Sequence, residues 1–199
     1  MVKRRPQNSS KKQSSSGFVR IISGLWRGRK LPVHDVEGLR PTTDRVKETV
    51  FNWLAQEIPH SACLDLFSGS GSLGFEAASR QADNVVMIEL DKNVANQLKS
   101  NANSLKAQNI IVHNIDALSF LEQAPTPFDV VFIDPPFRKG LIEEIIRKLE
   151  SRGWLTENAS IYIESEKEWP TDCIPSHWNL HREKFAGQVA FRLYYRDAE

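Results

Sequence analysis

Two short strings of this sequence could hold a ligand and act on it. The first, LDLFSGSGSLGFEA, sets Asp65, Phe67, Gly69, Gly71 and Gly74 between an apolar run and the start of a helical pattern. Glycines spaced G-x-G-x-x-G give a tight turn, and they let a ligand approach backbone N–H groups with no Cβ in the way. Glu89 stands 20 residues after Gly69 at the end of the next apolar run, where an acid can accept from both hydroxyls of a ribose. Asp116 and Ala117 follow the apolar run after that. The second string, FDVVFIDPPF, ends an apolar run on Asp134-Pro135-Pro136-Phe137. Two prolines stop a strand, stiffen the backbone and remove N–H donors. The Asp134 carboxylate and the fixed Pro135 carbonyl then form an acceptor-rich site that suits an –NH2 group, and Phe137 adds an aromatic face.

Positioning these groups calls for a sheet whose strands all end at one edge. Five apolar runs read as buried strands: Cys63–Phe67, Val85–Leu90, Ile110–His113, Phe128–Ile133 and Ile161–Glu164. Amphipathic stretches separate them, one marked by Val94 and Leu98, another by Leu141, Ile142, Ile145, Ile146 and Leu149. Strand–helix alternation of this kind predicts an α/β fold with a parallel sheet covered on both faces, and ligands bind at the carboxyl edge of such sheets. Upstream, FVRIISGLWRGRKLPV predicts a small N-terminal β-hairpin, and RPTTDRVKETVFNWL a helix with Val46, Val50, Phe51 and Leu54 on one stripe. Downstream, WNLHREKF and QVAFRLYY around Ala186-Gly187 predict a C-terminal antiparallel hairpin, with Val189, Phe191, Leu193 and Tyr195 on one face. Tyr162, Glu164 and Glu166 read as ordinary strand residues, and His113 as a strand residue rather than a catalyst.

A glycine loop followed by an acid also fits a dinucleotide. Asp65 argues otherwise, because a dinucleotide fingerprint strand is apolar at that point. The pattern D-x-F-x-G-x-G-x-x-G resembles the first motif of S-adenosylmethionine-dependent methyltransferases. That resemblance implies that Asp65 faces the ammonium end of the cofactor, that the glycine loop passes its methionine and ribose portions, and that Asp116 and Ala117 lie at its adenine. DPPF resembles the (D/N/S)-PP-(Y/F/W) motif of amino-group methyltransferases, with Phe137 in place of the commoner Tyr. An exocyclic base amine is a poor nucleophile, and two acceptors can aim its lone pair at a methyl group. The target base must be unpaired or flipped out to reach such a pocket.

Charge separates along the chain. Nine of the 26 Lys and Arg residues and none of the 25 Asp and Glu fall in the first 30 residues. The remainder carries 17 bases against 25 acids, so the basic end is the part suited to a polyanion. The expected organisation is a disordered basic tail over 1–16, an RNA-binding hairpin over 17–38 and a catalytic domain over 39–199. Arg20, Trp26, Arg27, Arg29 and Lys30 on the hairpin are candidates for RNA contact, and any one of them could equally be solvated surface charge. Arg40, Thr43 and Arg45 either border the target-base pocket or cap the following helix. Cys63 and Cys173 match no metal spacing, so no metal is expected, and they read as reduced thiols of a cytoplasmic protein. The sequence holds neither the apolar core of a secretion signal nor a run long enough for a membrane helix.

The strings RIISGLWRGRKLPV, RPTTDRVKETVFNWL, LDLFSGSGSLGFEAASR, DPPF, IYIESE and GQVAFRLYYR occur together and in order over residues 18 to 196. In this the sequence resembles the RsmD family of bacterial 16S rRNA guanine-N2 methyltransferases. The resemblance implies a Rossmann-like class I methyltransferase with a mostly parallel seven-stranded sheet. It also implies methylation of one guanine N2 in 16S rRNA, within the 30S subunit or a late assembly intermediate. A monomer is the default expectation for the chain. The alternatives are a DNA adenine-N6 methyltransferase, for which the chain has little room to recognise DNA, and a non-catalytic ribosome assembly factor, against which the intact Asp65, Glu89 and DPPF set argues.

Overall fold

The structure, a computed structural model, describes residues 17–34, 44–137 and 139–197. The tail over 1–16, the end of the hairpin segment over 35–38, and Arg40 and Thr43 lie outside the described residues. In chain order the elements are β1 (Phe18–Arg20), β2 (Lys30–Pro32), α1 (Asp44–Trp53), β3 (Ala62–Asp65), α2 (Ser72–Ser79), β4 (Asn84–Glu89), α3 (Lys92–Leu105), β5 (Ile110–Asn114), α4 (Ala117–Phe120), β6 (Phe128–Ile133), α5 (Leu141–Ser151), β7 (Leu155–Glu166), β8 (Trp178–Ala186) and β9 (Val189–Arg196). β1 and β2 form the expected antiparallel hairpin, with Phe18 opposite Pro32.

The main sheet has seven strands in the order β5-β4-β3-β6-β7-β9-β8. The five from β5 to β7 run parallel, and β9 and β8 close it antiparallel. The chain winds outward from β3 through β4 to β5, then returns to start β6 on the other side of β3. The reversal leaves a crevice beyond the carboxyl ends of β3 and β6, where open sheets of this kind bind ligands.

Strand alternation sorts the core into two layers. Cys63, Val85, Met87, Val130, Phe132 and Tyr162 pack beneath α1, α2, α3 and the hairpin. Leu64, Val86, Ile88, Val131, Ile133, Ile161 and Ile163 pack beneath α4 and α5. Asp65, Asp134 and Glu164 each come two residues after a member of the first layer, so all three lie on that face.

Some boundaries differ from the sequence reading for local reasons. β3 ends at Asp65, because Leu66 and Phe67 already enter the glycine turn. β7 begins at Leu155, six residues before its apolar run. The short α4 arises where Asp116 caps its first turn, with its side chain accepting from the Ser119 N–H at 2.9 Å. β9 buries both faces, with Phe191 and Leu193 in the first core layer and Tyr194 in the second. Ala190, Arg192 and Tyr194 are as enclosed as Phe191 and Leu193. Arg192 is accommodated by Glu183 at 2.6 Å and by Ser165 Oγ at 2.9 Å.

The hairpin is built into the body. Val19, Ile21, Leu31 and Val33 join the first core layer. The turn after β1 is fastened to α2 by buried Glu76, whose carboxylate accepts from the N–H groups of Ile22 (2.8 Å) and Ser23 (3.0 Å) and from Arg80 Nε (2.8 Å). Lys47, on the inner side of α1, lies 3.8 Å from Glu76 and donates to the Arg20 carbonyl. Burial holds the Lys47 ammonium below its usual range, against the opposing pull of Glu76. Ser79 Oγ donates to the Ser23 carbonyl at 2.6 Å and accepts from the Trp26 N–H at 3.0 Å.

Candidate active site

A cavity of about 960 Å³ opens at the carboxyl edge between β3 and β6. That is at the upper end of what small-molecule sites occupy, ~300–1,000 Å³. Among the described residues its wall carries six acids, Asp65, Glu89, Asp91, Asp116, Asp134 and Glu164, and a single base, Lys92. Val46, Phe137, Leu141, Val189 and Phe191 add apolar surface.

The glycine loop forms one wall. Gly69 lines the cavity, and its N–H donates to Glu89 Oε2 at 2.9 Å, which ties the loop to the end of β4. Glu89 Oε1 accepts from the Asp91 N–H at 2.8 Å. Each oxygen keeps a further lone pair for a ligand hydroxyl, so a diol is still accommodated. Asp65 is 2% exposed, and its Oδ2 accepts from the Gly74 N–H at 3.1 Å. Burial raises the Asp65 carboxyl to about 7, offset in part by hydrogen bonds from the Gly74 and Phe67 amides. Ser72 Oγ, at the first turn of α2, is buried and has no hydrogen-bond partner among the described residues, though Ser72 lies in the cavity wall. It is a donor left for a ligand oxygen.

Two of the three motif glycines, Gly71 and Gly74, do not line the cavity. Gly71 has φ 79° and precedes α2, and a Cβ there would fall 2.5 Å from the Phe75 ring and 2.7 Å from Leu98. Gly74 lies inside α2, where a Cβ would meet Met87 at 2.9 Å. Their glycine character answers to packing of α2 against α3 and β4, while Gly74 serves the cavity indirectly by hydrogen-bonding Asp65.

Asp134, Pro135, Pro136 and Phe137 form the facing wall. No hydrogen bond to the Asp134 carboxylate comes from the described residues. Burial, the Glu164 carboxylate and Asp65 together hold its carboxyl well above the ordinary range. Phe137 is 45% exposed, which leaves a ring face open at the cavity mouth. Asp116 and Ala117 line the far end beside Ile115 and Leu90.

Glu164, which reads from the sequence as an ordinary strand residue, belongs to the cavity. It is 7% exposed, lines the cavity, and accepts from the Tyr162 hydroxyl at 2.7 Å. The signal was present: β3, β6 and β7 each carry an acid after an apolar stretch at the same edge. Asn114 lies outside the cavity and straps β5 to the Glu89 and Leu90 carbonyls.

The basic cluster lies elsewhere. Arg27, Arg29 and Lys30 are exposed on the hairpin, and Trp26 is half-buried against the core. Arg20 pairs with Asp44 at 2.9 Å, and Arg45 is exposed in the first turn of α1, next to the cavity residue Val46. The hairpin turn is held at the C-terminal end of α2, whereas the cavity opens at its N-terminal end. Eight residues of helix separate them by about 12 Å.

This wall fits S-adenosylmethionine. The group carries two positive centres, a sulfonium and an ammonium, together with a ribose diol and an adenine amine. An acid-lined cavity with Asp116 and Glu89 on the β5–β4 side and Asp65 on the central strand complements these groups.

Comparison with known proteins agrees with this architecture. The family described as "Conserved hypothetical protein 95" matches residues 19–195. The chain is 58% identical over 186 residues to "Ribosomal RNA small subunit methyltransferase D" of Escherichia coli strain K12, covering 94% of each chain. It is 56% identical over 185 residues to the protein of the same description in Haemophilus influenzae, covering 91% of this chain and 95% of that one. The solved structure of yhhF from Escherichia coli superposes with a TM-score of 0.85 at 57% identity, covering 92% of this chain and 100% of that one.

Proposed function

The chain belongs to the family described as Conserved hypothetical protein 95, that of the RsmD methyltransferases, and from that premise we propose that it methylates the N2 amine of a guanine in 16S rRNA, using S-adenosylmethionine. The relatives' description supports rRNA of the small subunit as the substrate; the proposed context is the 30S particle or a late assembly intermediate. The observation that carries the chemistry is the position of Asp134. It is an acid with no hydrogen-bond partner among the described residues, facing the same cavity as Asp65 and Gly69.

When bound, S-adenosylmethionine supplies a methyl group on a sulfonium; the S–C bond breaks with its electron pair left on sulfur, and the N–C bond forms from the amine lone pair. Asp65 and Glu89 fix the donor end. The Asp134 carboxylate and the Pro135 carbonyl accept the two amine hydrogens and turn the lone pair toward the methyl group. As the nitrogen becomes cationic it releases one proton, and the Asp134 carboxylate, held above its ordinary range, can receive it. The exposed Phe137 ring stacks on the flipped base. The basic hairpin and tail hold the RNA backbone.

Transfer of labelled methyl to naked DNA, naked 16S rRNA and 30S particles, followed by nucleoside mass analysis, tests this reading. N2-methylguanosine in small-subunit rRNA is expected, and label on DNA adenine would overturn it. Asp134→Ala should lower transfer by ~10³-fold or more with cofactor affinity unchanged. Equal loss of cofactor binding would remove Asp134 from its assigned role.

A further inference from the structure

We infer that Glu164 acts with Asp134 to select guanine, its carboxylate receiving the ring N1–H while Asp134 receives the N2 amine. The inference rests on the base assignment proposed above and adds the residue that enforces it.

The geometry starts in the sheet. β6 and β7 are parallel and in register, with Ile133 beside Ile163. Carrying that register one residue further sets Asp134 beside Glu164, at a strand spacing of about 4.8 Å. Both acids line the cavity, on the same face of the sheet. Glu164 is buried, only 7% exposed. Its Oε1 is engaged by the Tyr162 hydroxyl at 2.7 Å, which fixes the carboxylate, while Oε2 has no partner among the described residues. Glu164 lines the cavity, so this oxygen is left to accept from a ligand donor.

Two neighbouring acceptors distinguish the bases. Guanine presents two adjacent donors, N1–H and the N2 amine. Adenine and cytosine each present one amine beside a bare ring nitrogen, which would place a lone pair against the Glu164 carboxylate. The cofactor's positive groups are met by Asp65, on the other side of Asp134 from Glu164 in the strand order, so they do not account for Glu164. Burial of both carboxyls raises them and makes the pair receptive to a ligand that brings donors.

The test compares guanine with 2-aminopurine, which keeps the N2 amine but has a bare N1. After the modified position has been mapped with the wild-type protein, each base is placed there in a reconstituted small-subunit particle. Wild type should prefer guanine by ~100-fold or more in kcat/KM, since a site built to receive a hydrogen rejects the analogue lacking it. Glu164→Gln can turn its amide N–H toward the bare N1. It should therefore reduce that preference at least ~10-fold while binding S-adenosylmethionine as wild type does by calorimetry. A wild type that does not discriminate would overturn the inference whatever the variant's folding, as would a variant that loses activity on both bases equally. Should the wild type modify a base other than guanine, the base assignment itself fails, an outcome the mapping step reveals separately.

Discussion

Toward the C-terminal end of α2, buried Glu76 is met by two backbone amides, the Arg80 guanidinium and the nearby Lys47 ammonium. At the other end, Asp65, Asp134 and Glu164 share a cavity wall in which the six acids face a single lysine among the described residues. Both clusters lie on the same face of the sheet, one helix apart. The first is electrically complete and fastens the hairpin. The second is short of donors and positive charge, which is the condition in which a protein waits for a ligand that brings them. What separates a structural from a functional acid here is the inventory of partners rather than burial, since Glu76 is the most buried of the four.

The largest expected effect comes from breaking the complete cluster. Glu76→Gln leaves Lys47 buried beside a neutral amide and should cost about 3 kcal/mol in urea unfolding. The folded fraction should bind S-adenosylmethionine with unchanged affinity, and adding Lys47→Met should recover part of the loss. The incomplete cluster should respond in the opposite direction. With its carboxyl raised to about 7, folded Asp65 keeps a proton that the unfolded chain has released near pH 4. Stability therefore falls as pH rises through that window, and Asp65→Asn should remove this slope and gain on the order of 2 kcal/mol at neutral pH. The same variant should lose cofactor binding in calorimetry, and a variant that is both more stable and fully competent would contradict the contrast. The smallest effect is at the rim. Phe137→Ala should raise KM for the RNA particle roughly five-fold, about 1 kcal/mol of lost stacking, with cofactor affinity unaltered.

What the sequence revealed follows from how local each signal is. The strands of the parallel sheet are continuous apolar runs, and Phe128–Ile133 was legible to the residue. Asp65, Gly69, Glu89 and DPPF were readable because each sits at the end of such a run, and the edge of a parallel sheet is one place. Glu164 carries the same signature, but its importance depends on β7 lying in register beside β6, a long-range pairing that no local pattern encodes. Gly71 and Gly74 share a motif with Gly69, yet their demands come from Phe75, Leu98 and Met87, which pack against them in the folded chain. Lys47 lies on the helix beside Val46, and nothing in a charged helical stretch marks one lysine as buried. β9 alternates as a half-exposed strand would, and its second face is covered by packing that includes Tyr194 in the second core layer against Trp178. The hairpin's basic residues were legible as a group, but their distance from the chemistry was not.

That distance is a property of a rigid rod. The turn carrying Arg27 and Arg29 is clamped to one end of α2, every residue of which is buried, while the cavity begins at the other. Whatever chain rests on that turn is therefore held at a set reach from the reacting centre. In the proposed reading, RNA backbone resting on that turn would stand at a set distance from the target base, a caliper that lengthening or shortening α2 would reset.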